Sequence, residues 1–272
     1  MVGEQSKRSK MKTILFDMDG TLTPERSRMT IKMVHSLAAL SKIANIGIVT
    51  GSDMKYIREQ CGPLWDTITG IITDNVFVLP CNGTKMYEYT GSKYEKTYEV
   101  SMEEEMGVER YGRIIHKLLE NQIRLRYTLY GKRFPLTGNF IDCRGSMINW
   151  CPIGRNANKE QRKIWQNLDR QYGIREQALS NNFRDPAFEG IEIKLGGSTS
   201  FDIFPCGWDK TYALNHVDGE QCYFIGDKCF GPGNDRQIYE RVQKVGLGAY
   251  SVSSPEETIK ILEDKIIPEL EA

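Results

Sequence analysis

Residues 14–23 read Ile14-Leu15-Phe16-Asp17-Met18-Asp19-Gly20-Thr21-Leu22-Thr23. The apolar run Ile14-Leu15-Phe16 predicts a short buried strand. Asp17 falls where the run stops, at the carboxyl edge of a sheet, where open α/β folds place their ligands. Gly20 lets the chain turn sharply off that edge. Two carboxylates this close repel each other unless a cation lies between them or one keeps a proton. Mg²⁺ suits oxygen ligands beside phosphate. One carboxylate can then attack phosphorus while the other shuttles a proton. An acidic turn after a strand would account for Asp-x-Asp alone, whereas the longer string points to chemistry. A calcium loop does not fit, because the Asp-x-Asp-x-Asp-Gly ladder and its distant Glu are missing.

Strands and helices alternate outward from this stretch. Thr30–Lys42 has helical apolar spacing, with Thr30 as N-cap. Ile46–Val49 predicts a second strand, a helix follows near Met54–Cys61, and Phe77–Leu79 predicts a third strand. The pattern returns late, with strands at Cys222–Ile225 and Tyr250–Ser253 and a helix from Pro255 to Leu262, capped by Ser254. This order predicts an α/β fold with a parallel sheet between helices.

The middle reads differently. Lys85–Tyr89 and Lys93–Val100 predict a hairpin, followed by a helix over about 103–122. Strands near 125–130, 139–143 and 147–150 and a helix near Lys159–Tyr172 follow. Strands beside helices predict an α+β module inserted at 86–197 in a core of 12–85 and 198–272, with Gly83 and Gly196-Gly197 as hinges. Residues 1–11 predict a disordered tail.

With 36 basic and 36 acidic residues the formal net charge is zero, so nothing suggests nucleic acid or a membrane surface as partner. No apolar run approaches a membrane span, and residues 1–10 lack the apolar core of a signal peptide. Seven scattered cysteines, an odd number without a Cys-x-x-Cys pair, predict a reduced, cytoplasmic setting.

Later motifs supply more chemistry. In Thr50-Gly51-Ser52-Asp53, the Thr50 or Ser52 hydroxyl can hold a phosphate oxygen at a helix start. Lys210, before the helical-looking Thr211–Val217, can neutralise phosphate and the Asp17 carboxylate. Asp227 ends a buried strand as Asp17 does, so the two can converge on one cation, and Asn234 and Asp235 can add oxygens or fix the loop. Arg144, Arg155 and Arg162 in the insert can grip a second phosphate through paired hydrogen bonds.

Asp-x-Asp, hydroxyl, lysine and acidic pair, in that order, resemble the haloacid dehalogenase-like phosphotransferases. Longer strings narrow this: Asn149-Trp-Cys-Pro-Ile-Gly-Arg155, Ser200-Phe-Asp202-Ile-Phe-Pro-Cys-Gly-Trp-Asp-Lys210, Gly226-Asp227-Lys228, Asn234-Asp235, and Asp19-Gly-Thr-Leu-Thr-Pro24-x-Arg26. They resemble the eukaryotic-type phosphomannomutases over roughly 12–262.

The resemblance implies a Rossmann-like parallel-sheet core with an inserted cap. It implies interconversion of mannose 1-phosphate and mannose 6-phosphate, with a hexose 1,6-bisphosphate as activator, on the way to GDP-mannose. Asp17 would be the nucleophile and Asp19 the acid and base, with Lys210 beside them. Asp17, Asp19 and Asp227 would bind Mg²⁺. Arg26, Ser52, Arg144, Arg155, Arg162, Ser200 and Asp202 would bind the hexose phosphate. A homodimer through the cap is also implied.

The chain departs from the family pattern in places. Thr50 stands where the family has glycine, Cys229 replaces a threonine, and Gly231-Pro232-Gly233 reorders the turn. Thr137 stands for a basic residue, and Tyr239-Glu240-Arg241 does not predict a second, structural cation. A sugar-phosphate or bisphosphate phosphatase on the same scaffold is the main alternative, and a catalytically silent sugar-phosphate sensor is a third.

Overall fold

A computed structural model describes residues 11–65, 70–125, 128, 129 and 132–272. The expected tail, except its last residue, and residues 126, 127 and 130 of the strand expected near 125–130 lie outside them. Along the chain the strands are β1 Thr13–Phe16, β2 Asn45–Val49, β3 Val76–Leu79, β4 Lys85–Tyr89, β5 Tyr94–Glu99, β6 Thr128–Leu129, β7 Lys132–Arg133, β8 Ile141–Cys143, β9 Ile148–Trp150, β10 Ile191–Gly196, β11 Ser200–Pro205, β12 Cys222–Gly226 and β13 Gly248–Ser251. The chain divides into two compact units. One runs up to Glu99 and resumes from Gly207 to Ala272, and the other is Val100–Cys206.

The first unit is built on a seven-stranded sheet of order β13-β12-β1-β2-β3-β4-β5. The strands from β13 to β3 are parallel. β1, β2, β3 and β12 are buried along their whole length, as parallel strands covered on both faces must be. Side chains alternate between the faces. Ile14 and Phe16 pack with Met33, Leu37, Ile57 and Ile259. Leu15 packs with Phe77, Phe224, Ile238 and Val242 on the other side. Helices Ile31–Leu40, Met54–Gln60 and Pro255–Ile261 therefore cover one face and Arg236–Val245 the other. The expected caps form: Thr30 accepts the Met33 N–H and Ser254 the Glu257 N–H.

The hairpin placed in the insert belongs to this sheet instead. β4 pairs antiparallel with β3, Val78 opposite Tyr87, and β5 continues the edge. β4 thereby covers the flank of β3, which would otherwise be an open edge. Nor do the expected glycine hinges lie at the boundaries. Gly83 packs against the backbone of Ala213, and Gly197 lies in the β10–β11 hairpin, beside the Gly196–Ser200 pair. The helix expected over 103–122 breaks at Gly107 into Met102–Met106 and Val108–Arg124. Lys210–His216 is a 3-10 rather than an α-helix.

The second unit has an antiparallel sheet of order β10-β11-β9-β8 and a separate β6–β7 ribbon. One sheet face is apolar: Trp150 stacks on Phe201, ring centroids 4.9 Å apart. Neighbouring positions Asn149 and Asp202 therefore point to the opposite face. Helix Lys159–Tyr172 starts with a capping box between Asn158 and Gln161. Its Trp165 packs with Phe134, Cys151 and Ile153.

Candidate active site

In the first unit the register of β1 and β12 sets the centre. Phe16 is opposite Ile225, and the Asp17 N–H donates to Ile225 O at 2.9 Å. Asp17 thus falls opposite Gly226, and Asp227 follows one residue further out, so both leave the same sheet edge. Gly20 makes their approach possible. Its φ is +87°, and a Cβ there would lie 2.5 Å from Asp227 Oδ2. Gly226 plays the same part for Asp235, whose Oδ2 would be 2.8 Å from a Cβ.

Lys210 is 1% exposed and donates to both Asp17 Oδ1 and Asp235 Oδ1. Asp209 caps its turn through the Thr211 N–H and so fixes where the lysine begins. The Thr21 hydroxyl donates to Asp17 Oδ2 at 3.4 Å. Burial, then the Asp235 carboxylate, push Asp17 up to about 7, while Lys210 pulls it down. Burial alone would lower Lys210, but Asp17 and Asp235 hold it above its usual value, hence charged.

Asp17, Asp227 and Asp235 each bring a carboxylate oxygen within 4.8 Å of the others. Asp227 Oδ1 and Asn234 Oδ1 are buried without a hydrogen-bond partner. Clustered carboxylates and orphaned acceptors are a donor set that fits a hard divalent cation. Asp235 has both oxygens engaged, one by Lys210 and one by the Lys228 N–H at 3.0 Å. Asp17 likewise has both oxygens engaged, by Lys210 and Thr21, so the three carboxylates together, with the unpartnered Asp227 Oδ1 among them, are the residues that would hold the ion. Asp19 was also expected to bind Mg²⁺; its carboxylate is outside this group. Met18 O accepts the Leu22 and Thr23 N–H groups, and the turn carries the Asp19 carboxylate to the Arg26 N–H, at 3.0 Å.

The other expected residues of this unit lie on nearby loops. Arg26 is exposed, with a left-handed backbone at φ +54°. The Ser52 N–H donates to the buried Thr50 hydroxyl, and Asp53 caps helix Met54–Gln60. Lys85, nearly buried, pairs with Asp53 at 3.5 Å and Glu99 at 3.4 Å.

In the second unit Arg144 and Arg155 meet at one carboxylate, Asp142. Asp202 accepts from Asn149. Ser200 is buried next to Thr199. Arg162 is buried and donates to Ala157 O, Thr199 Oγ1 and Arg155 O. In this arrangement it braces the chain around Arg155. The sequence motifs missed Asp142 and Asn149, and left open whether Asp235 adds an oxygen to the cation or fixes the loop. A polar residue at the centre of an apolar strand, as in Ile141-Asp142-Cys143 and Ile148-Asn149-Trp150, was the available signal.

The comparisons with known proteins bear on the fold and the family. Solved structures share the fold at low identity. An IMP-nucleotidase of Plasmodium falciparum matches 97% of this chain and 70% of its own, with TM-score 0.60 and 17% identity. A haloacid dehalogenase-like hydrolase from Bacteroides thetaiotaomicron matches 94% and 99%, with TM-score 0.55 and 15% identity. In sequence, a Saccharomyces cerevisiae phosphomannomutase is 34% identical over 92% of both chains. One from Solanum lycopersicum is 36% identical over 90% of both. The family model for eukaryotic phosphomannomutase matches residues 33–268. The chain belongs to the eukaryotic phosphomannomutase family.

Proposed function

We propose that this chain interconverts mannose 1-phosphate and mannose 6-phosphate by passing a phosphoryl group through Asp17, with a hexose 1,6-bisphosphate as activator. The observation that carries the reading is the buried Asp17 carboxylate at the end of β1, held by Lys210 and grouped with Asp227 and Asp235. An Asp17 oxygen attacks phosphorus and the bond from phosphorus to the sugar oxygen breaks. The Asp19 carboxyl gives that oxygen its proton. In the second half-reaction the hydroxyl of a hexose monophosphate attacks the aspartyl phosphate, gives its proton to Asp19 and frees Asp17. Lys210 offsets charge at Asp17, and the Ser52 hydroxyl holds the phosphoryl oxygens. Asp17, Asp227 and Asp235 would hold Mg²⁺, which when bound supplies charge neutralisation at phosphate.

A mutase needs a second grip for the phosphate that does not react. Arg144 and Arg155, with Arg26, supply it, and Ser200 and Asp202 take the sugar hydroxyls. Arg162 supports them through the Arg155 backbone. We also propose a homodimer through the second unit. Val108, Leu119 and Ile123 on helix Val108–Arg124 are 69%, 48% and 84% exposed, an apolar stripe that a second copy would cover.

The test is ³¹P NMR of the protein with Mg²⁺, mannose 1-phosphate and a catalytic amount of hexose 1,6-bisphosphate. Mannose 6-phosphate without inorganic phosphate is expected. Steady phosphate release without isomerisation would replace the mutase with a phosphatase.

A further inference from the structure

The residues expected to touch substrate in the second unit are joined by Asp142 and Asn149. β8, β9 and β11 pair so that Asp142 is opposite Asn149 and Asn149 opposite Asp202. The three side chains make a polar row across one face of the sheet. Contacts follow the row. Asp142 Oδ2 accepts from Arg144 Nε at 3.1 Å and is 3.2 Å from Arg155 Nε. The Asn149 carbonyl accepts from Arg155 Nη1 at 2.8 Å, and its amide donates to Asp202 Oδ1 at 2.7 Å.

We infer that Asp142 and Asn149 are positioning residues that set the distal-phosphate grip and the sugar-hydroxyl contact as one unit. This rests on reading the second unit as a sugar-phosphate grip. A free arginine samples many rotamers, and ordering it on binding costs conformational entropy. Asp142 meets that cost beforehand for two arginines, by holding each at Nε. Asn149 is suited to link a cation to an anion. Its oxygen can only accept and its nitrogen can only donate, so Arg155 on one side and Asp202 on the other determine the amide orientation. Aspartate at 149 could not donate to Asp202, and leucine could do neither. The sheet register supplies the spacing, so a displacement of Arg155 is passed to Asp202.

The test compares two reactions of the full-length protein. One is isomerisation of mannose 1-phosphate, which needs both phosphate grips. The other is release of p-nitrophenol from p-nitrophenyl phosphate, which has only the reacting phosphate. Asp142→Asn should lower the ratio of the two kcat/KM values roughly tenfold, mainly through a higher KM for mannose 1-phosphate. Asn149→Ala should do likewise, and the double variant should be little worse than the worse single, because both act through Arg155. An unchanged ratio overturns the inference. So does a lower KM, which would mean that Asp142 only dilutes positive charge, or a parallel loss of both activities, which would mean a structural role. If the unaltered protein releases p-nitrophenol but isomerises nothing, the mutase reading itself falls, and this inference with it.

Discussion

Cation binding at the Asp17 centre should weaken as pH falls, by an amount the site geometry sets. Burial and then the Asp235 carboxylate push Asp17 up to about 7. Asp17 must lose its proton before it can hold Mg²⁺. With one such proton, the apparent Kd scales as one plus ten to the power of seven minus pH. It should be about 10-fold weaker at pH 6 than at pH 8, and about 100-fold weaker at pH 5. Asp227 is also raised, chiefly by burial, so the dependence can be steeper but not shallower. Stability of the metal-free protein runs in the opposite sense. A carboxyl raised in the fold contributes stability below its ordinary range, and that contribution is lost as pH rises through about 7. Mg²⁺ should therefore raise Tm most above pH 7. Calorimetric titration with MgCl₂ at pH 8, 6 and 5, paired with thermal unfolding, measures both. A Kd that agrees within a factor of about two between pH 8 and pH 6 would refute Asp17 as the titrating ligand.

Other perturbations test other parts. Lys210→Met leaves Asp17 and Asp235 buried without their cation, and should cost about 3–5 kcal/mol in urea unfolding at pH 8, less at pH 5. Gly20→Ala combines a strained φ with a collision at Asp227 Oδ2, and should lower stability by about 1–3 kcal/mol. It should also weaken Mg²⁺ binding at least about tenfold in the same titration. Ile123→Glu places a charge on the exposed stripe of helix Val108–Arg124 and should shift the protein toward monomer in analytical ultracentrifugation. An unchanged sedimentation profile would remove that stripe from the interface.

Much of the first unit was legible because its strands are short apolar runs that end in acids. β1 and β12 each carry an aspartate one residue past the buried stretch or its closing glycine, and parallel register makes those positions neighbours. The limits were equally physical. Past their buried first residues β4 is half-buried and β5 exposed throughout, so no apolar run says which sheet they extend. The answer came from β3, whose flank needed covering. Asp235 reads as a turn residue, but Gly226 leaves room for its carboxylate, and Lys210 arrives from a segment far away in sequence. The Asp19 carboxylate lies outside the acidic cluster because of the tight turn at Met18–Thr23, which the spacing Asp-x-Asp does not reveal. Asp142 and Asn149 acquire their meaning only from the strand register. Arg162 reads as a ligand from its charge, and three of its five donors go to Ala157, Thr199 and Arg155.

The most direct test of the central claim is to locate the phosphoryl group. The protein with Mg²⁺ is mixed with ³²P-labelled hexose 1,6-bisphosphate, quenched in acid, digested, and mapped by mass spectrometry. Label on the peptide containing Asp17, lost in Asp17→Asn and discharged by unlabelled mannose 1-phosphate into mannose bisphosphate, is the predicted result. Isomerisation that proceeds with no label on Asp17, or with label on another residue, would contradict it.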